Sequence, residues 1–315
     1  MHFTNALPTV RPRRGRPALL AGAAGLGLLL GLAPMLPADR AVAQTPAAGA
    51  PGATAAPQQQ TLSREQLEAL VAPIALYSDD LLSQVLMAST YPLEIVQAAR
   101  WQKANAKLTG KALQDALQEQ PWDASVKAMV AVPQTLTMLN DQLDWTQKLG
   151  DAFLAQQGDV LDAVQRLRAR ADAAGKLKTT KQQKVSTQSN AGKTVYVIEQ
   201  ADPQVVYVPA YDPAVVYGGW PYPAYPPATW YPPGYVAGSA LWFGAGVAAG
   251  AALWGGCNWW NRQVNIDVNR YNSFNRTNIV NGNWQHDLAH RGGVPYGNAD
   301  VARQFGRGAA ADDAA

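Results

Sequence analysis

The sequence predicts an α+β protein in which an N-terminal all-helical domain is followed by a small β-hairpin region. Apolar residues recur at helical spacing through residues 61–176, after which β-branched residues and turn signals become more frequent. A third observation is an uncharged, Ala- and Gly-rich apolar run at residues 236–256, which precedes an Asn-rich C-terminus. These shifts in composition divide the chain into seven segments.

The N-terminal segment, residues 1–43, has the three parts of an export signal. Four arginines precede a small, Leu-rich apolar core at residues 18–33, and an A-x-A cleavage site ends at Ala43. We expect cleavage there, which leaves residues 44–60 as a flexible linker rich in Ala, Pro, Gly and Gln. The predicted location of the exported protein is the periplasm or the cell membrane of a bacterium.

The charge balance argues against a nucleic-acid partner. Residues 1–43 hold five of the 26 basic and one of the 23 acidic groups, so the mature chain is nearly neutral. A nearly neutral protein has little global attraction to a polyanion. The single cysteine, Cys257, rules out an internal disulfide framework and is predicted to be a small buried residue.

Residues 61–176 are predicted to form a helical domain of roughly six to eight short helices. Ser63 and Gln66 have the spacing of a capping box, and Pro92 fits the first turn of a third helix. Further starts are predicted at Ser78, Thr109, Pro121 and Pro133, with a last helix at 159–174. Such a domain can enclose one core and is expected to fold by itself.

A small β region is predicted for residues 177–217. Residues 193–200 alternate in polarity, and the Asn-Ala-Gly sequence at 190–192 is typical of a hairpin turn. The sequence then nearly repeats itself at 202–207 and 212–217. Each copy predicts an Asp-Pro turn followed by a short Val-Val-Tyr strand.

The remaining segments are a Pro/aromatic linker at residues 218–235, the apolar run at 236–256, and an Asn-rich, partly disordered tail at 257–315. As a helix, the apolar run would span roughly 31 Å, close to the thickness of a bilayer's hydrocarbon core. Gly246 and Gly250 have the spacing that lets two helices approach closely in lipid. The run is therefore a candidate transmembrane helix, and the membrane is a predicted partner.

Tryptophans accompany the apolar run and are candidates for membrane contact or for packing. Side chains of this type concentrate at membrane interfaces, where their rings lie at the level of the headgroups. The residues predicted to serve in membrane contact or packing are Trp242, Gly246, Gly250, Trp254, Trp259 and Trp260.

Metal and cofactor sites find little support in the sequence. His286 and His290 are spaced as two ligands on one helical face, but zinc needs at least a third protein ligand. Gly292, Gly293 and Pro295 also leave little room for a stable helix. No metal, cofactor or catalytic residue is predicted, because nucleotide-loop, Ser-elbow and paired-Cys motifs are missing from the sequence.

Two charged clusters have a functional and a structural interpretation. Asp79 and Asp80 could serve as an acid–base pair, but a first helical turn capped by Ser78 is favoured. A basic stretch could touch anionic headgroups or cell-wall polymers, but a solvated helix end is favoured. Its members are Arg166, Arg168, Arg170, Lys176, Lys178, Lys181 and Lys184.

Several sequence blocks carry a family resemblance. Residues 70–101 read LVAPIALYSDDLLSQVLMASTYPLEIVQAARW, and further blocks are PWD at 121–123, VVYVPAYDP at 205–213, LWGGCNW at 253–259 and NRYNSFNR at 269–276. Their combination resembles the bacterial family known as domain of unknown function 3300. The resemblance implies an exported protein, with the apolar run taken as a sign of membrane association. It implies no activity and carries over no catalytic residue.

Three functions are compatible with these features. The leading hypothesis is a non-enzymatic envelope protein that is held at the membrane by residues 236–256 and serves in scaffolding or binding. The alternative is a soluble periplasmic protein whose Ala/Gly run packs within the fold or self-associates. The third is an enzyme that acts on envelope polymers, motivated by Asp79, Asp80 and the aromatic stretch. An envelope protein or polymer is thus a further candidate partner.

Overall fold

The computed structural model describes residues 61–306, which form helices and small antiparallel sheets, in agreement with the predicted α+β class. The predicted signal peptide at 1–43 and linker at 44–60 lie outside this range, as does the end of the predicted tail, residues 307–315. From residue 61 to 176 the chain folds into seven helices: α1 (Arg64–Val71), α2 (Asp79–Ala88), α3 (Pro92–Ala104), α4 (Gly110–Gln118), α5 (Ala124–Val130), α6 (Pro133–Asp141) and α7 (Leu143–Ala173).

The helix starts follow the local signals in the sequence. The backbone N–H of Gln66 donates to the Ser63 hydroxyl at 3.3 Å, and the Gln66 side chain accepts from the Ser63 N–H at 2.9 Å. This is the predicted capping box. Pro92 and Pro133 occupy first turns, where the missing N–H of proline costs nothing. These predictions of helix starts are confirmed.

Helix α7 is interrupted at Gln156, whose backbone leaves the helical region at φ −151° and ψ 51°. The buried Gln156 side chain binds both polar groups of the Leu62 backbone, accepting at 2.8 Å and donating at 3.1 Å. The amide therefore satisfies both backbone polar groups of Leu62, just before the start of α1. The interruption separates the predicted last helix, residues 159–174, from the part of α7 before it.

After α7 the chain forms short strands and short helices. The strands are β1 (Gln183–Asn190), β2 (Lys193–Gln200), β3 (Pro209–Ala210), β4 (Trp242–Phe243), β5 (Gly255–Asn258) and β6 (Gln263–Ile266). They pair antiparallel as β1 with β2, β3 with β4, and β5 with β6. The helices are α8 (Pro213–Val216), α9 (Val268–Asn275), α10 (Leu288–Arg291) and α11 (Ala299–Phe305).

The predicted hairpin is confirmed, whereas neither copy of the near-repeat forms the predicted strand, and the first contributes only an isolated bridge at Val206. Ala191 and Gly192 both have positive φ, 47° and 78°, as the two-residue turn of a twisted hairpin requires. In the second copy, the Asp212 carboxylate accepts from the N–H of Ala214 at 2.8 Å, and Pro213 takes the first position of α8. Capping and proline together start a helix where the valines alone predicted a strand.

The prediction that residues 236–256 form a transmembrane helix is wrong. The segment holds β4, a 3₁₀ turn at Gly250–Ala252 and the start of β5, joined by irregular chain. Between residues 61 and 306, none of the helices combines the length and the apolar character that a bilayer crossing demands. Glycine is among the poorest helix formers. Within the run, Ala249, Gly250, Ala252 and Gly255 are buried, whereas several other Ala and Gly residues are exposed.

Glycines in this run allow two backbone segments to touch. A Cβ atom on Gly250 would overlap the carbonyl oxygen of Pro203, and one on Gly246 would lie 2.5 Å from Val205 and 2.7 Å from the Tyr207 ring. An isolated bridge, with N–H···O distances of 2.8 and 2.9 Å, links Val206 to Val247 beside these contacts. The spacing of Gly246 and Gly250 therefore serves packing against the first copy of the near-repeat.

One hydrophobic core crosses the predicted segment boundaries. Leucines of α2 and α7 belong to the same cluster as Val195 of β2, Tyr211, Trp254 and Phe274 of α9. The side chain of Tyr211 reaches back to accept from the N–H of Leu76 at 3.1 Å. Whether residues 61–176 fold without the rest of the chain stays a prediction.

Replacing Gly250 by alanine should lower the free energy of unfolding by about 2–3 kcal/mol, because the Cβ must displace the Pro203 backbone. Gly256→Ala is the matched control, since its Cβ would meet only the flexible Asn265 side chain at 3.2 Å. We expect this control to change the free energy by less than about 1 kcal/mol. Urea unfolding followed by circular dichroism measures both, and equal effects would contradict the described packing.

Candidate functional site

A buried arginine joins distant parts of the chain. Arg168 on α7 has no solvent exposure. Its Nε donates to the carbonyl of Ala75 at 2.8 Å, and its Nη2 donates to the carbonyl of Tyr77 at 2.9 Å. Its Nη1 donates to the Asp79 carboxylate at 2.6 Å and to the carbonyl of Tyr196 at 2.9 Å. One guanidinium therefore binds the start of α2 and strand β2 at once.

Asp79 completes this arrangement from the other side. Its second carboxylate oxygen accepts from the indole N–H of Trp259 at 2.7 Å, and the Arg168 guanidinium lies 4.8 Å from the centre of the same indole. Burial raises the pKa of the Asp79 carboxyl, while the charge of Arg168 acts in the opposite direction. Both oxygens of Asp79 are engaged, so the carboxylate serves as a structural anchor.

The favoured interpretation of Asp79 and Asp80 as first-turn residues of a helix agrees with the structure, except for the cap. Ser78 precedes α2, but its side chain makes no capping hydrogen bond. The Ser78 hydroxyl instead accepts from the Gln200 amide of β2 at 2.7 Å. The β1–β2 hairpin therefore contacts the start of α2 through Ser78, the residue predicted to cap this helix.

The interpretation of the basic stretch as a solvated helix end is wrong for its three arginines. Arg168 is fully buried, and Arg166 and Arg170 bind the buried carboxylate of Glu68. The four lysines of the stretch are exposed, as expected. No sequence signal separates Arg168 from its neighbours, because its partners come from α2 and β2, far away along the chain.

A polar cavity of about 480 Å³ lies beside Asp80. Arg270 of α9 donates to the Asp80 carboxylate at 3.1 Å and to the carbonyl of Leu253 at 3.2 Å. Burial raises the pKa of Asp80 to about 6, the nearby Asp79 adds to the effect, and Arg270 opposes it. A carboxyl that titrates near neutral pH could exchange protons with a ligand, but this one is already held in an ion pair.

A larger groove of about 790 Å³ lies between the α3–α4 region and the Ala/Gly run. Trp101, Leu113, Leu117 and Phe274 contribute its largest apolar side chains, and Ala and Gly residues from 246 to 252 form one wall. The charged residues that line it are Lys103 and Lys111. This groove could not be predicted from the sequence, since its two walls are more than a hundred residues apart along the chain.

His286 and His290 both pack against Tyr91 and serve different partners. The His286 ring stacks on Tyr91 at 5.1 Å and its Nε2 lies 2.9 Å from the Tyr296 hydroxyl, whereas His290 Nδ1 lies 2.8 Å from the Glu94 carboxylate. Burial lowers the pKa of His286 to about 4. Across the described residues 61–306, no three His, Cys, Asp or Glu side chains are grouped to hold a metal ion.

The tryptophans of the apolar run have different surroundings. Trp254 and Trp259 are buried, Trp242 is half-buried in β4, and Trp260 is 40% exposed. Gly246 and Gly250 contact the near-repeat, as described above. These residues therefore do not form one continuous surface, and membrane contact by any of them stays a prediction.

The sequence blocks at 70–101, 121–123, 205–213, 253–259 and 269–276 contribute side chains to the hydrophobic core. They also identify the class of protein. The model of the family described as "Protein of unknown function (DUF3300)" matches residues 63–290, so the chain belongs to this family. It is similar to the uncharacterized protein YacH of Escherichia coli (strain K12), with 37% identity over 333 residues, which cover 85% of this chain and 54% of YacH. The chain thus spans about half the length of this curated relative. No solved structure matches it.

Replacing Arg168 by methionine should lower the free energy of unfolding by about 3–5 kcal/mol, because Asp79 is left buried without its cation. Arg168→Met combined with Asp79→Asn should recover part of this loss, since the uncompensated charge is then removed. Arg100→Met, at an exposed arginine of α3, is the control and should change stability by less than about 0.5 kcal/mol. Urea unfolding measures these changes. Equal effects at Arg168 and Arg100 would refute the role of the Arg168–Asp79 pair as a structural anchor.

The raised pKa of Asp80 predicts a pH dependence of stability. The unfolded carboxyl titrates near 3.8 and the folded one near 6, so the folded state holds an extra proton between these values. The free energy of unfolding should therefore contain a contribution that is present near pH 4 and is lost as the pH rises through 6. Asp80→Asn should remove it.

The size of this effect is about 1 kcal/mol, because the Asp80 side chain is 37% exposed and solvent screens its charge. Urea unfolding between pH 4 and pH 6 measures how the free energy of unfolding changes with pH in the wild type and in Asp80→Asn. Asp141→Asn, at an exposed carboxylate that ends α6, should keep the wild-type profile. An unchanged profile in Asp80→Asn would show that Asp80 titrates normally.

Proposed function

We propose that this chain is a non-enzymatic binding protein of the bacterial cell envelope, and that its groove holds an anionic amphiphile with a single acyl chain. The observation that carries the proposal is the apolar groove of about 790 Å³, whose charged lining residues are both lysines. Small-molecule sites in proteins commonly measure about 300–1,000 Å³ and combine apolar walls with a few polar groups. The groove has this size and this composition.

The apolar walls favour an acyl chain. Leu113, Leu117 and Phe274 lie along one side, and the facing alanines have side chains too small to fill the space. Ala248 and Ala251 are exposed to solvent in this groove. Covering such a surface contributes about 25 cal/mol for each Å² of apolar area removed from water. The small residues that resembled a membrane helix thus provide room for a lipid chain.

The lysines favour a negative headgroup. Lys103 lies in the last turn of α3 and makes no ion pair within residues 61–306. Lys111 pairs with the exposed Asp115 at 2.6 Å, and Asp115 also binds Arg276. Positive charge is therefore in excess at this end of the groove. A carboxylate or phosphate headgroup would compensate it.

The envelope location rests on the sequence of the first 43 residues, with its arginines, apolar core and A-x-A site. Export would bring the groove beside a membrane, which is a source of single-chain amphiphiles. The membrane then enters the proposal as the source of the ligand. The proposed role is binding, since the buried carboxylate Asp79 is occupied by Arg168 and Trp259.

The proposal predicts saturable binding of a long-chain fatty acid, measured by displacement of a fluorescent fatty acid from the purified protein. Ala248→Trp fills the groove from an exposed position and should weaken binding at least roughly tenfold. Ala245→Trp is the matched control, because Ala245 is exposed in the same run and does not line the groove. Equal binding by both variants would contradict the assignment.

The headgroup is tested in the same experiment. Lys103→Gln and Lys111→Gln should each weaken the fatty acid several-fold and leave the corresponding fatty alcohol unaffected, because only the acid carries a charge. Lys107→Gln, at an exposed lysine outside the groove, should have no effect. A wild-type protein that binds the alcohol as tightly as the acid would exclude the anionic part of the proposal.

A further inference from the structure

The carboxylate of Glu68 gathers three arginines at the contact of α1 with α7. Glu68 is fully buried. Its Oε1 accepts from Arg64 Nε at 3.1 Å and from Arg166 Nε at 2.5 Å. Its Oε2 binds Arg170 Nη2 at 2.9 Å and accepts from the Tyr222 hydroxyl at 3.1 Å. Every lone-pair direction of the carboxylate is thus used by this cluster, which we call the Glu68 cluster.

The Glu68 cluster carries an excess of positive charge. Three guanidinium groups share one carboxylate, and within residues 61–306 none of the three makes an ion pair with another acidic residue. Glu65, on the same helix, accepts a hydrogen bond from Ser63 and interacts electrostatically with Arg64 and Arg166, so three cations face two carboxylates. Each further cation beside the first adds repulsion and loses hydration, which costs stability unless an anion compensates it.

The arginines also retain free hydrogen-bond donors. Arg64 and Arg166 use only their Nε atoms on Glu68, and their Nη groups have no partner among the described residues. Arg170 Nη1 is enclosed and also lacks a partner there. Their side chains are 59%, 27% and 26% exposed, so a solute can reach them.

The Pro/aromatic segment covers one side of the Glu68 cluster. The Tyr222 hydroxyl accepts from Arg170 Nη2 at 2.7 Å, and the Arg170 guanidinium lies 5.1 Å from the centre of the Tyr222 ring. These contacts hold Arg170 in one orientation and reduce the conformational entropy that a ligand would remove. A fixed orientation of the guanidinium favours anion binding, because the planar group donates two parallel hydrogen bonds to an oxyanion.

We infer that the Glu68 cluster is a binding site for a phosphate-type oxyanion. The carboxylate holds the three arginines together, and their unpaired N–H groups donate to the phosphate oxygens. A phosphomonoester or phosphodiester supplies the one or two negative charges that the cluster lacks. This site is separate from the proposed groove and does not depend on it. Its ligand is either a phospholipid headgroup or free phosphate, and these two sources share the same chemistry.

Titration calorimetry of the full chain with inorganic phosphate at low ionic strength tests the site. We expect one saturable site, weakened roughly tenfold by Arg64→Gln and by Arg166→Gln, since each removes a charged fork. Arg100→Gln, at an exposed arginine of α3, is the matched control and should bind as the wild type does. Arg64→Lys keeps the charge without the fork and should also bind more weakly.

Vesicle sedimentation separates the two sources of the phosphate group. Vesicles of phosphatidylcholine with phosphatidic acid should retain the chain through Arg64 and Arg166 if the ligand is a headgroup, and phosphate should compete. Binding of free phosphate without binding to vesicles would assign the site to a small solute. Either result supports the inference that the Glu68 cluster binds an oxyanion. The inference is overturned if neither phosphate nor vesicles bind. It is also overturned if binding is unchanged in Arg64→Gln and in Arg166→Gln.

Folding of the variants is checked by helical circular dichroism and by the unfolding temperature. A purely structural role of the arginines would lower the unfolding temperature of Arg64→Gln and leave phosphate affinity unchanged, which would refute the inference. Failure of the groove proposal is seen separately, because the fatty-acid experiment depends on Ala248 and the two groove lysines. The two ligand sites can therefore succeed or fail independently.

Discussion

The buried contact between Arg168 and Asp79 connects elements that the chain places far apart. Arg168 comes from α7, Asp79 begins α2, the carbonyl of Tyr196 belongs to β2, and Trp259 follows β5. A charge in the interior is tolerated only with its partner, so each of these elements depends on the others being in place. The helices and the later strands therefore share one core, although their compositions differ sharply.

Small residues determine the shape of the part of the molecule that follows the helices. Gly246 and Gly250 let the chain lie directly on the near-repeat, and Ala248 and Ala251 leave space in front of the α3–α4 region. Larger side chains at these four positions would close the groove or push the segments apart. The same run thus links the fold, through close backbone approach, to the proposed binding of an acyl chain, through unfilled volume.

The two proposed ligand sites use cations in different ways. In the groove, lysines flank an apolar surface, so the charge orients a ligand that is bound mainly by its chain. In the Glu68 cluster, arginines are oriented by a buried carboxylate and by Tyr222, so recognition depends on hydrogen-bond geometry. An amphiphile and an oxyanion are both abundant in a cell envelope, which is where the N-terminal sequence directs the chain in our proposal.

Elements whose signals are local could be predicted from the amino-acid sequence. The capping box at Ser63 and Gln66, the proline at the start of α3 and the two-residue turn of the hairpin each act within a few residues, and the family blocks are readable in the same way. The orientation of the α7 arginines and the packing role of the Ala/Gly run became visible only in the folded chain. Buried charges need partners from distant segments, and small residues show their purpose only when the backbone they touch is known.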